Sequence, residues 1–350
     1  MSNSSLSTNT VLFFDVLRFL LASIVVIGHG FGFFFNYWDG FFPNKSPYIQ
    51  SIAVVGFFFV SGFLITNSVL IRIEKDSASF LSYAIDRFAR IYCTLIPCLL
   101  FVAMVDYAAD KIYTNYEFSG NLNAYLFAKN VLLIPGMPFG SLRPIWSLMF
   151  EWWIYVLFGG IVFFIKNKFF GFLAIIFGAY YTFIVNGKGE AGQIAIIWIV
   201  GAISAYFYKD ICVKSFNKGL YSALFFLFAI LIYSTTLNAY NLFAGSFFSI
   251  GLLLLAAHKS SKNISHHKNL IIFRFLAGYS FTLFLIHYTI LSWIWRIGLR
   301  GIEGFMLSII ASNIISISIA RYTENYHKNL SKWMLKSFMK ISTAKQVKQF

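Results

Sequence analysis

FFDVLRFLLASIVVIGHGFGFFF, residues 13–35, is an apolar run long enough to cross a bilayer as a helix, yet it carries an arginine, Arg18, and a histidine, His29. At about 100° per residue, the step from Arg18 to His29 is three turns plus about 20°, so both side chains share one face, about 16 Å apart along the axis. A charge at the centre of a bilayer costs on the order of 2.5–3.5 kcal/mol even on the lenient insertion scale. Two ionisable groups aligned on one face therefore point to a protein-lined site rather than to lipid contact.

The rest of the chain has the same character. Of 350 residues, 59% are hydrophobic, 20% aromatic and only 12% charged, with a mean hydropathy of +0.72, which excludes a soluble globular protein. Spanning-length apolar segments recur from end to end, and no stretch has the composition of a separate soluble domain. The expected fold is a single all-α integral membrane domain over residues 1–350, with about ten transmembrane helices. The spans fall at about 11–35, 48–71, 88–107, 144–165, 169–185, 191–208, 219–236, 240–257, 275–297 and 303–323, followed by a basic tail, 324–350. The longest break, 108–143, contains NLNAYLFAKNVLLIPG, which fits a short interfacial or re-entrant helix. The N-terminal MSNSSLSTNT has no Lys or Arg, so the first run is expected to remain as a helix rather than act as a cleaved signal. Asn3, in an N-S-S triplet, reads as part of a polar tail.

An even number of spans puts both termini on one side, and the Lys/Arg count chooses the side. The connections that include Arg72 to Arg90, Lys166 and Lys168, Lys209 to Lys218, Lys259 to Arg274 and the C-terminal end hold 20 Lys and Arg. The opposite connections (Lys45, Lys111, Lys129, Arg143, Lys188, Arg296 and Arg300) hold 7. Both termini are therefore expected in the cytoplasm. The net charge of +15 follows from this asymmetry and gives no reason to invoke nucleic acid. The lysines from Lys328 to Lys348 fit either a solvated topology signal or an amphipathic helix on anionic lipid.

Cys93, Cys98 and Cys212 form no CxxC or Cys/His cluster, so neither a disulfide nor a metal is expected. His266 and His267 are adjacent rather than at helical ligand spacing and read as part of a charged loop. The ionisable residues at membrane depth fall into two layers. Asp15, Arg18, Arg87, Arg90, Arg321 and Glu324 lie towards the inner face. His29, Glu151 and His287 lie further out, with Ser61 at mid-depth of the second span. Each has a plainer reading: Asp15 and Arg18 as an i,i+3 pair, Arg87 and Arg90 as topology anchors, Arg321 and Glu324 as a surface pair. His287 can be an interhelical hydrogen-bonding residue, and Ser61 beside Gly62 a close-packing site. Trp146, Trp152 and Trp153 fit an aromatic belt.

Six segments in order resemble the membrane-bound acyltransferase 3 family, bacterial O-acetyltransferases of surface carbohydrates. FFDVLRFLLASIVVIGH is similar to its first-helix signature, and this places the family's functional residues at Arg18 and His29. VVGFFFVSGFLIT resembles the second-helix stretch ending in Ser-Gly-Phe at Ser61, and IDRFARIY the arginine motif at Arg87 and Arg90. PIWSLMFEWWIY is similar to the segment carrying Glu151 and Tyr155. YSFTLFLIH resembles the one ending at His287, and ARYTENY the final-helix glutamate at Glu324. The chain departs at Cys93, where proline is usual, and at Trp152 and Trp153, where smaller or polar residues are common. Nothing in the chain resembles the SGNH-type domain that some members carry.

The resemblance implies a multi-pass protein of the bacterial cytoplasmic membrane that moves an acyl group, by family default acetyl, from cytoplasmic acyl-CoA to a hydroxyl of a lipid-linked or surface glycan. O-antigen, capsule and exopolysaccharide are examples of such acceptors. Acetyl-CoA would be co-substrate, bound through its phosphates by Arg87 and Arg90 with Arg18 deeper on the same path. His29 is the expected base with Glu151 as its carboxylate partner, and direct transfer and an acyl-His29 intermediate both remain open. Arg18, His29 and Glu151 are thus the candidate catalytic set, and Asp15, Ser61, Tyr155, His287 and Glu324 line the remaining polar path. Composition alone also suits a transporter or flippase for a glycan or lipid-linked intermediate, which predicts repeated halves. No such self-similarity is visible. A non-catalytic sensor or assembly protein is the third class.

Overall fold

The computed structural model describes residues 6–37, 48–185, 190–260 and 267–347. Asn3, Lys45, Lys188, Lys262, His266 and Lys348 lie outside the described residues. Among the described residues there are no strands. The helices are α1 (Thr8–Phe35), α2 (Ile49–Glu74), α3 (Phe80–Ile112), α4 (Ala124–Val131), α5 (Ile145–Phe163), α6 (Lys168–Ala179), α7 (Glu190–Val213), α8 (Lys218–Thr236), α9 (Leu242–Ser260), α10 (His267–Ala277), α11 (Ser280–Arg296), α12 (Gly301–Tyr322) and α13 (His327–Val347). A π-helical turn, Tyr180–Val185, continues α6. Nine of the described helices are long and apolar enough to span a membrane, and α10 with α11 makes a tenth if the bent pair counts as one crossing. The chain is an all-α polytopic membrane protein.

Local sequence sets the helix starts. Ser7, Ser79, Asn123, Asn167 and Asn217 each accept a hydrogen bond from a backbone N–H of the first turn that follows, satisfying donors that a helix leaves unpaired. Packing follows small residues, because lipid supplies no hydrophobic drive between helices. The tightest crossing is α2 on α7. There a Cβ on Gly62 would stand 2.1 Å from the Trp198 carbonyl oxygen, and one on Gly201 would stand 2.3 Å from that of Phe59. The helices α1, α2, α3 and α11 surround the centre, where Phe14, Phe59, Phe63 and Leu95 are fully buried. Isoleucines and phenylalanines on α6, α8 and α12 stay exposed, as a lipid-facing shell requires.

Four expectations need correction. The third span starts at Phe80 rather than 88, so Arg87 and Arg90 lie inside α3. A hydropathy window ends at the first charges, whereas the helix continues past the hydrocarbon boundary. The ninth span is broken at Gly278–Tyr279 with a bend of 49°. His267 opens α10 instead of lying in a loop. Beyond α12 a short turn, Glu324–Tyr326, leads into α13, which packs against α3 rather than trailing away. The short helix expected in the long break is α4.

Gly62→Ala tests the α2–α7 crossing. The backbone contact leaves no room for a methyl group, so the substitution is expected to cost about 1–3 kcal/mol as overpacking and to lower the thermal midpoint of the detergent-solubilised protein.

Candidate active site

Eight of the residues singled out in the sequence line one cavity of about 1220 Å³: Asp15, Arg18, Ser61, Arg87, Arg90, Glu151, Tyr155 and Glu324. The cavity runs from the helix ends rich in Lys and Arg, called here the basic face, deep into the bundle. Its mouth holds Arg72, Asp86, Lys328 and Lys332, and its far end is walled by Val54, Ser147 and Phe284. Seven Arg and Lys side chains face four carboxylates around it, so the chamber is net cationic.

Three of these seven cations are held in place by carboxylates. Arg18 donates to Asp15 at 2.7 Å, one turn away on α1. Arg72 of α2 pairs with Asp86 of α3, and Asp86 also accepts from Ser331 of α13. Arg90 of α3 donates to Glu324 Oε1 at 3.2 Å. The second oxygen, Oε2, accepts from the Thr282 backbone N–H at 3.1 Å and from its hydroxyl at 3.0 Å. Thr282 lies in the first turn of α11, so the carboxylate satisfies an orphan donor at a positive helix end. The break at Gly278–Tyr279 creates that helix end. Arg87 differs from its neighbours: it lines the chamber without an ion pair among the described residues, and its Nε, like that of Arg18, is buried with no hydrogen-bond partner.

Higher on the wall, the Trp198 indole N–H donates to Ser61 Oγ at 3.2 Å, and Ser61 Oγ lies 2.8 Å from Tyr155 OH, which donates to Glu151 Oε1. The Tyr155 proton goes to Glu151, so with Glu151 ionised Ser61 donates to the Tyr155 oxygen. Every proton in this chain then points towards the carboxylate, an arrangement in which successive bonds strengthen one another. Ser61 thus belongs to the cavity, and the close packing expected at this point falls to Gly62.

His29 and His287 stand apart from the cavity lining and bond to each other, Nδ1 of His29 to Nε2 of His287 at 3.0 Å. The ring of His287 is fully buried and its Nδ1 lies 2.8 Å from the Phe284 carbonyl. A carbonyl only accepts, so His287 Nδ1 carries the proton and its Nε2 is an acceptor. His29 must then donate from Nδ1, which leaves its Nε2 with a free lone pair. His29 is half-buried, so the accessible imidazole of the pair is the one whose basic nitrogen is uncommitted. Phe284 stands between pair and cavity: it lines the chamber, its ring centroid is 6.3 Å from that of His287, and it packs edge-on against Phe57 at 5.4 Å. On the side away from the basic face, Tyr288 meets His29 edge-on at 5.4 Å and Phe33 at 5.0 Å.

Two expected pairings are replaced. The hydrogen-bond partner of His29 is His287 rather than Glu151, because α5 packs mainly on α6 and α3 while α11 lies directly against α1. Glu324 is not a surface partner of Arg321: it is 1% exposed and bound to Arg90, while Arg321 faces the Tyr322 ring outside. A further polar group went unread in the sequence. Asp106 of α3, 1% exposed, accepts from Tyr116 OH at 2.7 Å and from Ser141 N at 2.6 Å and Oγ at 2.9 Å. Ser141 Oγ also lies 2.7 Å from Thr289 Oγ1 and accepts there, its own proton being committed to Asp106, which ties the 116–141 segment to α11 two residues from His287. The lone aspartate in the apolar FVAMVDYAA was the available signal. Among the described residues no cluster of three or more His, Cys, Asp or Glu is placed to hold a metal ion, and Cys93, Cys98 and Cys212 form no disulfide there.

Residues 11–321 match the family described as an acyltransferase domain, the acyltransferase 3 family. The chain belongs to that family. The match carries membrane acyltransferase activity in general, and it ends one residue before the end of α12, so Glu324 and α13 lie beyond it. No curated protein and no solved structure matches the chain. At Cys93, where the acyltransferase 3 arginine motif is usually followed by proline, the thiol faces the Thr323 carbonyl at 3.0 Å and adds one more contact between α3 and the turn that carries Glu324.

Glu324→Gln keeps an acceptor for Thr282 but leaves Arg90 without its counter-charge. The expected result is a lower thermal midpoint in detergent, by roughly 1–3 kcal/mol of stability, together with reduced acyl transfer. Glu324→Ala should be worse on both measures, because the α11 donors are then orphaned as well.

Proposed function

We propose that this acyltransferase moves an acyl group, by family default acetyl, from acyl-CoA on the cytoplasmic side to a hydroxyl of a lipid-linked or surface glycan across the bacterial cytoplasmic membrane. The observation that carries the reading is the cationic cavity, which ends one aromatic layer short of a histidine pair with a free basic nitrogen. The basic face is taken as cytoplasmic from the Lys/Arg asymmetry of the connections.

In this reading the donor enters thioester first. Its phosphates meet the arginines by charge-assisted bonds, whose planar forks suit oxyanions. Arg87, having no carboxylate of its own, is the principal phosphate ligand, and Arg90 and Arg18 flank it. Arg18 is about 16 Å from His29 along α1, so its place is on the donor path rather than at the reacting carbonyl. The acceptor hydroxyl gives its proton to His29 Nε2 as its oxygen attacks the thioester carbonyl. The tetrahedral intermediate then expels CoA thiolate, which takes that proton back from His29 to leave as the thiol. His287 acts through His29 by holding its Nδ1–H and so fixing the tautomer. Rings at Tyr288 and Phe33 supply an aromatic approach from the acceptor side, of the kind ligand pockets commonly use.

His29→Ala is expected to lower transfer by on the order of 10²-fold or more, and Arg18→Ala to act chiefly on donor KM. His287→Ala should fall between wild type and His29→Ala, with partial rescue by His287→Gln, which restores an acceptor. The checks are acetyl content of surface glycan by mass spectrometry in complemented deletion strains, and release of free CoA by purified protein given acetyl-CoA and acceptor. Full acetylation by His29→Ala at normal membrane levels would overturn the mechanism. Acceptor flux without CoA release would favour the transporter instead.

A further inference from the structure

Helix α13 has no place in the family match, which ends at residue 321, yet it forms part of the cavity mouth. It is pinned there at its first turns. Ser331 donates to Asp86, the carboxylate that also holds Arg72, and the His327 ring bonds the Glu324 carbonyl at 2.6 Å. Pinned in this way, α13 lies along α3 and presents Lys328 and Lys332, one turn apart, to the opening, with Arg274 of α10 also on the lining. Lys328 and Lys332 make no ion pair among the described residues and are exposed. Trp333 and Phe338 are exposed too, at 66% and 47%. That mixture of exposed aromatics and lysines is what a helix at the membrane interface carries, and it accounts for where α13 lies without accounting for the two lysines turned towards the cavity.

We infer that Lys328 and Lys332 form a phosphate site at the mouth of the cavity that takes the 3′-phosphate on the ribose of acyl-CoA. The inference rests on the donor reading above. A donor that enters thioester first leaves its nucleotide end at the opening, while the deeper Arg87 and Arg90 face the diphosphate. The 3′-phosphate is a monoester carrying about −1.5 to −2 charges near neutral pH. A pair of flexible ammonium groups one turn apart suits such a point-like dianion, whereas the planar arginines suit the fixed oxygens of a diphosphate. The same chemistry would also attract the phosphate of an anionic lipid headgroup, and the test separates the two sources.

The experiment measures binding of CoA, dephospho-CoA and pantetheine by titration calorimetry, using the full chain in nanodiscs of neutral lipid and in nanodiscs containing anionic lipid. Wild type is compared with the double variant K328A/K332A and with K336A as a control elsewhere on α13. In neutral nanodiscs the double variant is expected to weaken CoA binding roughly five- to tenfold, to leave dephospho-CoA and pantetheine unchanged, and to lose affinity less steeply with salt than wild type does. K336A should match wild type. Equal loss for CoA and dephospho-CoA, no loss for either, or a loss seen only with anionic lipid would each overturn the site. So would a wild type that binds CoA no more tightly than dephospho-CoA. Selective binding of CoA without acyl transfer would leave this site standing and defeat the proposed reaction, so the two failures are distinguishable.

Discussion

Glu324 has a buried carboxylate whose two oxygens serve two different helices. One takes the guanidinium of Arg90 on α3, and the other takes the backbone and hydroxyl donors of Thr282 at the start of α11. A carboxylate at this depth is tolerable only when paired and fully hydrogen-bonded. Much of the surrounding architecture reads as the means of meeting that condition. The span containing α11 has to break at Gly278–Tyr279 to expose an N-terminus to it. The chain has to turn at Glu324–Tyr326 to bring it inward, and Cys93 holds that turn through Thr323. Helix α13 then starts against α3, with its lysines at the mouth of the cavity. Because the same bond holds Arg90 on the cavity wall, the geometry of the cavity depends on a contact made by a residue just beyond the apolar span.

The fold class was legible from apolar runs alone, because a backbone in hydrocarbon has few choices other than helix. The polar residues were legible too, since each stands out against its apolar neighbours: eight of the ten site residues chosen in sequence line one cavity, and His29 and His287 stand apart from it as a pair. Pairings across helices were not. His29 and Glu151 are compatible in chemistry and in depth, but depth along one helix says nothing about azimuth around the bundle, and α11 rather than α5 lies beside α1. The bend before α11 was hidden because Gly278 and Tyr279 interrupt neither hydropathy nor charge. Their role appears only once Glu324 is seen to supply the cap. For Lys328 and Lys332 the sequence offers a solvated topology signal or an amphipathic helix on anionic lipid, whereas their direction towards the cavity depends on the Ser331–Asp86 contact over a separation of 245 residues.

The layer between the cavity and the histidine pair bears on why acyl transfer would prevail over hydrolysis. A thioester beside an activated base is exposed to water as well as to an alcohol, and a cationic chamber open at one face is wet. Phe57 and Phe284, packed edge to face, stand between that chamber and the imidazoles, and the His287 ring behind them is fully buried. An acyl chain can displace ring–ring contact at little cost, since it restores apolar contact, whereas water entering the same gap forfeits hydrogen bonds and gains none. Under the proposed reaction, the lone pair on His29 Nε2 would then be reached from the basic face only in company with the acyl donor. From the opposite side the approach passes Tyr288 and Phe33, which offer rings rather than charges. In the proposed reaction, a base held in a single tautomer, shielded by phenylalanine on the side of the chamber and reached past aromatic faces on the other, would discriminate by which molecule can bring apolar surface with it.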